Sequence, residues 1–258
     1  MIIVGVDGSQ AGLEAAGWAA EEAVLRGVPL TVAHAMQRWA NETDGGRYAD
    51  VAAWMRDSAA QVADAAVQRA RQVRSDLPIE KRYLSGDPRP ALLGVAAEAE
   101  LLVIGDHHEG AFRGLLSGAV KYGVAGHAPC PVAVVRNFAP VSSSDIVVGV
   151  AEDTPARVLD FAFAEAALRR ARLLAVHAGV EEAPSDTLTP HRARHPEVEV
   201  VERVESGAPA KVLQEASRDA GLLVVGSHGY GAAAGMLLGS VSRQLLHTAL
   251  CPLIVVGP

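Results

Sequence analysis

Residues Gly226 to Val241 read GSHGYGAAAGMLLGSV, and residues Gly105 to Val120 read GDHHEGAFRGLLSGAV. Aligned without a gap at an offset of 121 residues, the two stretches are identical at eight of sixteen positions. The same offset aligns Cys130-Pro131 with Cys251-Pro252. Because self-similarity at a fixed spacing indicates a repeated architecture, we interpret the chain as a tandem duplication.

The amino-terminal parts of the two copies match as well. Val4-Gly5-Val6 aligns with Val148-Gly149-Val150 at an offset of 144, and His34 aligns with His177 at an offset of 143. The later fall of the offset to 121 indicates that the second copy lacks about one helix. A short Pro- and Ser-containing segment joins the copies, so the predicted domains are residues 1–138 and 145–258.

Within each copy, short β-branched apolar runs alternate with segments of helical periodicity, which favours parallel α/β sheets with right-handed crossovers. The second helix of copy two is predicted to be short, between Ser185 and Arg194, and interrupted by Pro190. The predicted strands are Ile2 to Val6, Leu30 to Ala35, Ile79 to Leu84, Leu101 to Gly105, Val132 to Arg136, Ile146 to Val150, Leu173 to Ala178, Val198 to Val204, Leu222 to Gly226 and Leu253 to Val256.

Composition limits the classes of function. Half of the 258 residues are apolar and the formal net charge is −7, which disfavours a general surface for nucleic acid or for anionic membranes. No apolar run approaches the roughly 20 residues of a membrane-spanning helix, and the chain begins directly with a strand-like segment. Two cysteines do not make a disulfide framework. We expect a soluble, cytoplasmic protein.

The loop that follows the fourth strand of copy two has the features of a phosphate cradle. Open parallel sheets bind ligands at the carboxyl ends of their strands. Glycines at Gly226, Gly229 and Gly239 let backbone N–H groups approach a phosphate, and Ser240 opens a helix whose free N–H groups favour an anion. Ser227 and Val241 belong to the same candidate site.

At this point the chain resembles a tandem protein of the universal stress protein family. The resemblance covers both copies and rests on VGVDGS at Val4 to Ser9, on the spacing G-x2-G-x9-G-S at Gly226 to Ser240, and on the closing segments CPVAVV and CPLIVV. It implies two five-stranded domains of the adenine nucleotide alpha hydrolase-like fold, with strand order 3-2-1-4-5. It also implies that the last strands pair within the chain, as a pseudo-two-fold internal dimer.

The resemblance also implies a ligand, namely ATP or a related adenine nucleotide, with Mg²⁺ as an accompanying ion. Asp7 matches the acid that lies near adenine in nucleotide-binding members, whereas Gly226, Gly229, Gly239 and Ser240 match their phosphate loop. In copy one, Gly105 and Gly118 occupy the corresponding glycine positions.

Each copy departs from the family pattern in a different half of the site. In copy one, His108 replaces the loop glycine and Ala119 replaces the serine; in copy two, Ala151 replaces the acid Asp7. A histidine side chain would obstruct the close approach of a phosphate to the backbone. We therefore expect copy two to be the nucleotide site and Asp7 to belong to a degenerate one. Adenine in copy two would be held by backbone groups near Val150 and Val176.

Alternative chemistries are less well supported by the sequence. The four consecutive residues from Asp106 to Glu109 match no common zinc spacing and are expected to lie in a solvated loop, so no metal site is predicted. The equivalent pairs His107 and His228, and His34 and His177, are interpreted as core or strand-end histidines rather than as catalytic bases. No catalytic residue is predicted, because neither loop offers an evident general base or a lysine in the cradle.

Three functions stay open at this stage. The first is a nucleotide-dependent sensor or regulator in the stress response; the second is a nucleotide-free scaffold that acts by protein–protein contacts, if both sites are degenerate; the third and weakest is a slow ATP-hydrolysing enzyme. As partners we expect an adenine nucleotide and a second copy of the chain, bound through exposed sheet edges or helix surfaces, but neither nucleic acid nor membrane.

Overall fold

The computed structural model describes residues 1–42, 45–106, 117–136, 145–180, 185–228 and 238–257. The chain divides into two compact units, each with five parallel strands. Unit 1 contains the first five strands of the chain and unit 2 contains the last five. None of the helices in the described part of the chain is both long enough and apolar enough to cross a membrane.

The five strands of unit 1 form a parallel sheet in the order β3-β2-β1-β4-β5. The strands are β1 Ile2–Gly5, β2 Leu30–Met36, β3 Ile79–Ser85, β4 Leu101–Gly105 and β5 Val132–Val135. The helices are α1 Gln10–Arg26, α2 Arg38–Glu42, α3 Ala49–Val73, α4 Pro88–Ala96 and α5 Ser117–His127.

Unit 2 repeats this order, as β10-β9-β6-β7-β8. Its strands are β6 Ile146–Gly149, β7 Leu173–Ala178, β8 Val200–Glu205, β9 Leu222–Gly226 and β10 Leu253–Val256. Its helices are α6 Ala156–Arg169, α7 Ser185–Arg194, α8 Pro209–Ala216 and α9 Ser240–Thr248. In each unit the strand order 3-2-1-4-5 that the resemblance implied is confirmed.

The central strands lie in the core because they are apolar on both faces. Ile2, Ile3 and Val4 of β1 are 0% exposed, and so are Ile146, Val147 and Val148 of β6. Helices cover both faces of such a sheet, which is why the strand sequences are continuous apolar runs and do not alternate with polar residues. This arrangement leaves the strand ends as the places where polar chemistry can occur.

The first helix of each unit ends in a left-handed residue, but the two helices begin differently. The Ser9 hydroxyl caps α1 by accepting a hydrogen bond from the Gly12 N–H at 3.1 Å, and Gly27 ends the helix with φ of 66°. In unit 2 the N-cap of α6 is Pro155, with no side-chain cap, and the helix ends at Arg170 with φ of 52°. Unit 2 therefore forms the same helix with fewer favourable local contacts.

The difference in length between the copies lies between the second and third strands of each unit, where unit 1 has α2 and the long helix α3 and unit 2 has, among its described residues, only α7. In unit 1, α3 has 25 residues, and its buried positions are all alanines, among them Ala59, Ala63, Ala66 and Ala70. Small side chains at helical spacing let this helix approach its neighbours closely. In unit 2, α7 has 10 residues and contains Pro190.

A few predicted boundaries differ from the structure. Strand β8 begins at Val200 and not at Val198, because the Val198 N–H donates to the His195 carbonyl in the turn that ends α7. The first strand of each unit ends one residue earlier than predicted, at Gly5 and Gly149. The short helix α2 was not predicted.

Candidate functional site

The carboxyl ends of β6, β7 and β9 in unit 2 surround a cavity of about 310 Å³. Most of the residues predicted for copy two line this cavity: Gly226, Gly239, Ser240, Val241, Val150 and Val176. They come from three strands and from the start of α9, so the topology brings them together from positions up to 91 residues apart in sequence. Gly229 lies outside the described residues.

Ser227 is buried directly after β9 and holds several elements of unit 2 together. Its N–H donates to the Val256 carbonyl at 2.9 Å. Its own carbonyl accepts from the Gly239 N–H at 2.7 Å and from the Ser242 hydroxyl at 3.0 Å. Its hydroxyl lies 2.9 Å from Nδ1 of His228, a cavity residue that the sequence prediction did not include. Ser227 therefore links β9, β10 and α9 and orients His228.

The start of α9 supplies the cavity with an anion-binding environment. The N-cap residue of α9 is Gly239, which has no side chain that could bind the first N–H groups of the helix. The first-turn N–H groups of a helix carry the positive end of its dipole. Ser240 and Val241 line the cavity at this end, and the Ser240 hydroxyl adds a further polar group. This end of the cavity is suited to a phosphate.

The loop after β6 is held by hydrogen bonds between its own residues, and it lacks the acid that copy one has at Asp7. The Ala151 N–H donates to the Thr154 hydroxyl oxygen at 2.7 Å, and the Thr154 N–H donates to the Ala151 carbonyl at 3.1 Å. Thr154 and Asp153 both line the cavity, and neither was predicted. Asp153 could have been found from the sequence, since it is an acid only two positions after Ala151 in the same loop.

The backbone of Val150 is already engaged within unit 2. Its N–H donates to the Val176 carbonyl at 2.9 Å, and its carbonyl oxygen lies 3.0 Å from Nδ1 of His177. The expectation that backbone groups near Val150 and Val176 hold adenine stays a prediction, to which the Val150 N–H does not contribute because the neighbouring strand uses it. The side chains of Val150 and Val176 still form an apolar wall of the cavity.

His177 has a counterpart in unit 1, in the same geometry. Nδ1 of His34 lies 2.8 Å from the Val6 carbonyl oxygen, as Nδ1 of His177 does from Val150. Because a carbonyl oxygen only accepts, Nδ1 of each histidine carries the proton and donates. Each histidine thus joins its strand to the end of the neighbouring one, in agreement with the structural role predicted for the pair.

In unit 1, Asp7 orders the loop after β1. Its side chain is exposed, and its Oδ1 accepts from the Ser9 N–H at 3.0 Å and from the Ser9 hydroxyl at 2.5 Å. Because Ser9 caps α1, this carboxylate also fixes the start of the helix. The two glycines predicted for the site of copy one lie in different surroundings. Gly118 lies in the first turn of α5. Gly105 lies so close to α1 that a Cβ on it would come within 2.4 Å of the Ala11 carbonyl oxygen.

Unit 1 contains a buried ion cluster, and the equivalent positions of unit 2 carry small residues. Lys121 Nζ lies 2.6 Å from Asp106 Oδ1, and Arg136 Nε lies 2.7 Å from Asp106 Oδ2. All three residues are at least nine-tenths buried. Burial lowers the pKa of Lys121, and the hydrogen bond to Asp106 opposes that shift. The prediction of a solvated loop is therefore wrong for Asp106, whose carboxylate is held by two cations.

The offset of 121 residues relates this ion cluster to unit 2. Asp106, Lys121 and Arg136 correspond to Ser227, Ser242 and Gly257. This pattern of paired positions was the signal in the sequence that could have revealed the cluster. In the described part of the chain no group of three or more His, Cys, Asp and Glu side chains is placed to hold a metal ion; His107, His108 and Glu109 lie outside that part.

Comparison with known proteins gives a consistent result. The sequence model of the universal stress protein family matches residues 1–136 and 179–257. The universal stress protein Rv2005c of Mycobacterium tuberculosis is 35% identical over 284 residues, which cover 98% of this chain and 96% of the relative. A universal stress protein of Mycolicibacterium smegmatis is 30% identical, with coverages of 100% and 97%.

The fold has a close counterpart among solved structures. The crystal structure of a universal stress protein from Archaeoglobus fulgidus DSM 4304 superimposes with a TM-score of 0.78, over 99% of this chain and 98% of the other. The sequence identity is 19%, so this likeness concerns the fold alone.

Proposed function

Because the chain belongs to the universal stress protein family, we propose that unit 2 binds ATP or a related adenine nucleotide in the cavity at the carboxyl ends of β6, β7 and β9. In this proposal the protein is a nucleotide-dependent sensor or regulator of the stress response. The observation that carries it is the position of Gly239 and Ser240, at the start of α9, on the same cavity as the apolar wall of Val150 and Val176.

The two ends of the cavity differ in the way that the two ends of a nucleotide do. On the β9 side, the first turn of α9 offers N–H groups and the Ser240 hydroxyl to a phosphate. On the β7 side, Val176 and Leu213 offer apolar surface to a base. The loop after β6 lies between them, because β6 is the strand between β9 and β7. Asp153 and Thr154 would therefore face the sugar.

A divalent cation would accompany a triphosphate. Among the described residues that line the cavity there is no Lys or Arg, and Asp153 adds a negative charge. Mg²⁺ prefers carboxylate and phosphate oxygens as ligands, so the nucleotide's own phosphates suit it. When bound, the ion would offset the charge of the phosphates.

Calorimetric titration tests the proposal. Wild-type protein is titrated with ATP, ADP, AMP and cyclic AMP, and so is a variant with Ser240→Ala and Gly229→Val. We expect wild type to bind at least one of these nucleotides at millimolar or lower concentration and the double variant to bind it at least about tenfold more weakly. Thr248→Ala, at the other end of α9, is the matched control and should bind like wild type. No binding by wild type would overturn the proposal.

A second candidate function, a nucleotide-free scaffold, is favoured by exposed aromatic side chains in unit 1. Trp39, Tyr48 and Trp54 are 42%, 53% and 68% exposed, and the rings of Trp39 and Tyr48 meet edge to face at 6.5 Å. Aromatic residues are enriched at protein interfaces. If the wild-type protein binds no nucleotide, the scaffold is the candidate function that remains. Loss of ATP above the uncatalysed rate, abolished by the double variant, would instead indicate an enzyme.

The predicted homodimer is compatible with either function. Sedimentation equilibrium on the whole chain tests it, since a dimer has twice the buoyant mass of a monomer.

A further inference from the structure

We propose that the exposed edge of β8 in unit 2 binds a second copy of this chain, through antiparallel pairing of the two β8 strands about Val204. This inference goes beyond the proposed function and does not depend on nucleotide, because β8 contributes none of the described residues that line the cavity. It assigns a specific surface to the homodimer predicted from the sequence. The direction of the main chain, the exposure and the charges of this edge all support it.

Strand β8 is an edge strand whose main-chain groups point outwards at known positions. Among the described residues, it pairs with β7 and with no other strand. The Leu173 N–H donates to the Glu199 carbonyl, and the Gly179 N–H donates to the Glu205 carbonyl. In a parallel pair the N–H and the carbonyl of one residue point to the same side, and the side alternates along the strand. The N–H and carbonyl of Val204 therefore point away from β7.

The carboxyl half of β8 is open to solvent. Arg203, Val204 and Glu205 are all exposed, and the exposed fraction of Val204 is 43%. The principal packing partner of β8 is β7, whereas the equivalent strand of unit 1, β3, also packs against α3 and α4. An exposed edge with outward N–H and carbonyl groups is a template for another strand. A second β8 can therefore pair along this edge.

Symmetry and charge together select one register within the exposed half of β8. When two copies of a strand pair antiparallel about a two-fold axis, the residue at the axis lies opposite its own copy. A pair centred on Arg203 or on Glu205 would place two like charges directly opposite each other, which is destabilising. A pair centred on Val204 places two valines opposite each other. Their outward N–H and carbonyl groups then exchange two hydrogen bonds.

The charges on either side of Val204 are complementary in this register. Arg203 of one copy lies opposite Glu205 of the other, and the two-fold axis generates this pair twice. In the described part of the chain, neither the Arg203 nor the Glu205 side chain makes a hydrogen bond or an ion pair. Charged residues usually protect an edge strand from pairing. Here they favour pairing with an identical strand, because opposite charges meet.

The equivalent edge of unit 1 does not have this property. Tyr83 of β3 corresponds to Val204 by its register against the neighbouring strand. The residues beside Tyr83 are Arg82 and Leu84, so a two-fold axis at Tyr83 brings no opposite charges together. The Arg82 guanidinium also donates to both carboxylate oxygens of Glu98, at 2.7 and 3.0 Å. The self-complementary edge is therefore a feature of β8 and not of β3.

Sedimentation equilibrium on wild type and on Val204→Lys tests the proposal. The lysine places two like charges opposite each other at the axis, in an exposed position whose N–H does not bind β7. We expect wild type to be in equilibrium between monomer and dimer, and the dimer dissociation constant to rise at least about tenfold in the variant. The matched control is Tyr83→Lys, the equivalent change in unit 1, which should sediment like wild type.

Charge reversal identifies the register. Arg203→Glu alone should raise the dimer dissociation constant about tenfold, and so should Glu205→Arg, because each change turns two attractive pairs into two repulsive ones. The two changes together restore opposite charges across the axis. The double variant should therefore return to within about threefold of the wild-type constant. Both positions are exposed, so circular dichroism should show each variant to be folded like wild type.

The dimer and its surface are tested separately. A wild-type chain that stays monomeric at every concentration overturns the proposal, and so does a dimer whose dissociation constant is unchanged by Val204→Lys. Failure of the double charge reversal to restore the dimer overturns the pairing about Val204. An equal effect of Tyr83→Lys overturns the choice of β8. The proposed function is tested by calorimetry with nucleotide, so the two can fail independently.

Discussion

Lys121 Nζ lies 2.6 Å from Asp106 Oδ1 inside unit 1, whereas at the equivalent positions of unit 2 the Ser242 hydroxyl donates to the Ser227 carbonyl at 3.0 Å. The two copies thus join the same strand and helix by different chemistry. An ion pair replaces a hydroxyl contact, and Arg136 extends that ion pair where unit 2 has Gly257. In unit 2, where the residues at these positions are smaller, Ser242 lines the cavity.

Lys121→Met should destabilise unit 1. The change removes one of the two cations that bind the buried Asp106 carboxylate and leaves that carboxylate paired with Arg136, so we expect a loss of about 1.5–3 kcal/mol in the free energy of unfolding, the range for a hydrogen bond to a charged group. Urea denaturation followed by circular dichroism measures the effect. The matched control is Lys81→Met, which breaks an exposed pair with Asp64 and should leave the unfolding midpoint almost unchanged. Equal effects of the two changes would contradict this prediction.

Gly105→Ala should be poorly tolerated. A Cβ at this position would lie 2.4 Å from the Ala11 carbonyl oxygen, and a backbone atom in α1 cannot move aside as a side chain can. We expect a loss of about 3 kcal/mol in the free energy of unfolding, at the upper end of the range for overpacking. Thermal or urea unfolding measures it.

Two other glycines provide the comparison for Gly105. A Cβ added to Gly94, within α4, would have no heavy atom within 4 Å, so Gly94→Ala should stabilise the protein by about 0.5–1 kcal/mol. A Cβ added to Gly226, the equivalent of Gly105, would have contacts at 3.1 and 3.3 Å, and Gly226→Ala should have an intermediate effect. A Gly105→Ala protein as stable as wild type would show that α1 can shift.

His34 and His177 should both be in the Nδ1–H tautomer when neutral. Each Nδ1 lies within 3.0 Å of a carbonyl oxygen, which requires a donor. Nitrogen chemical shifts of the imidazole rings identify the tautomer directly. Replacement of His34 by Leu leaves the Val6 carbonyl without this donor and should lower the free energy of unfolding by about 1 kcal/mol. His34→Asn, whose amide can donate in the same place, should retain most of that stability. Nε2–H tautomers in the spectra would contradict the assignment.

The two thiols should be unreactive in the folded protein. Burial raises the pKa of Cys130 to about 11 and that of Cys251 to about 12, so little thiolate is present at pH 8. Labelling with a chromogenic disulfide should be slow in buffer and rapid in denaturant, where both thiols react. Fast labelling of the native protein would show that a thiol is accessible.

The same raised pKa values predict a loss of stability at alkaline pH. The folded state keeps its thiol protons to a higher pH than the unfolded state, whose cysteines titrate at about 8.5. Stability from this source is complete below that pH and is lost as the pH rises through about 11. A double variant with both cysteines changed to Ala should lose less stability over this interval than wild type does.

The fold could be predicted from the sequence because its signals are local or repeated. The alternation of apolar runs and helical periodicity identified all ten strands of the described residues, and the offset between the copies identified the duplication. Boundaries such as Val198 were missed because a backbone hydrogen bond to His195, formed only in the folded turn, ends the preceding segment there. Helix α2 was missed because its five residues contain no periodic pattern.

The candidate site could be predicted only in part. Gly239 and Ser240 belong to a loop with a recognisable spacing, and the structure places them on the cavity. The Val150 backbone was assigned to adenine because the sequence does not show which strand uses its N–H. Likewise Asp106, Lys121 and Arg136 are separated by 15 residues each, and they converge only because the folded unit brings α5 and the ends of β4 and β5 to the same place. Such contacts are set by tertiary structure.

The buried ion cluster also constrains how unit 1 can evolve. Replacement of Asp106 by the serine of unit 2 would leave two buried cations without their shared carboxylate, whereas replacement of either cation would leave a one-to-one pair. A path of substitutions that keeps the buried charges balanced therefore removes one cation first, and then the carboxylate together with the other cation.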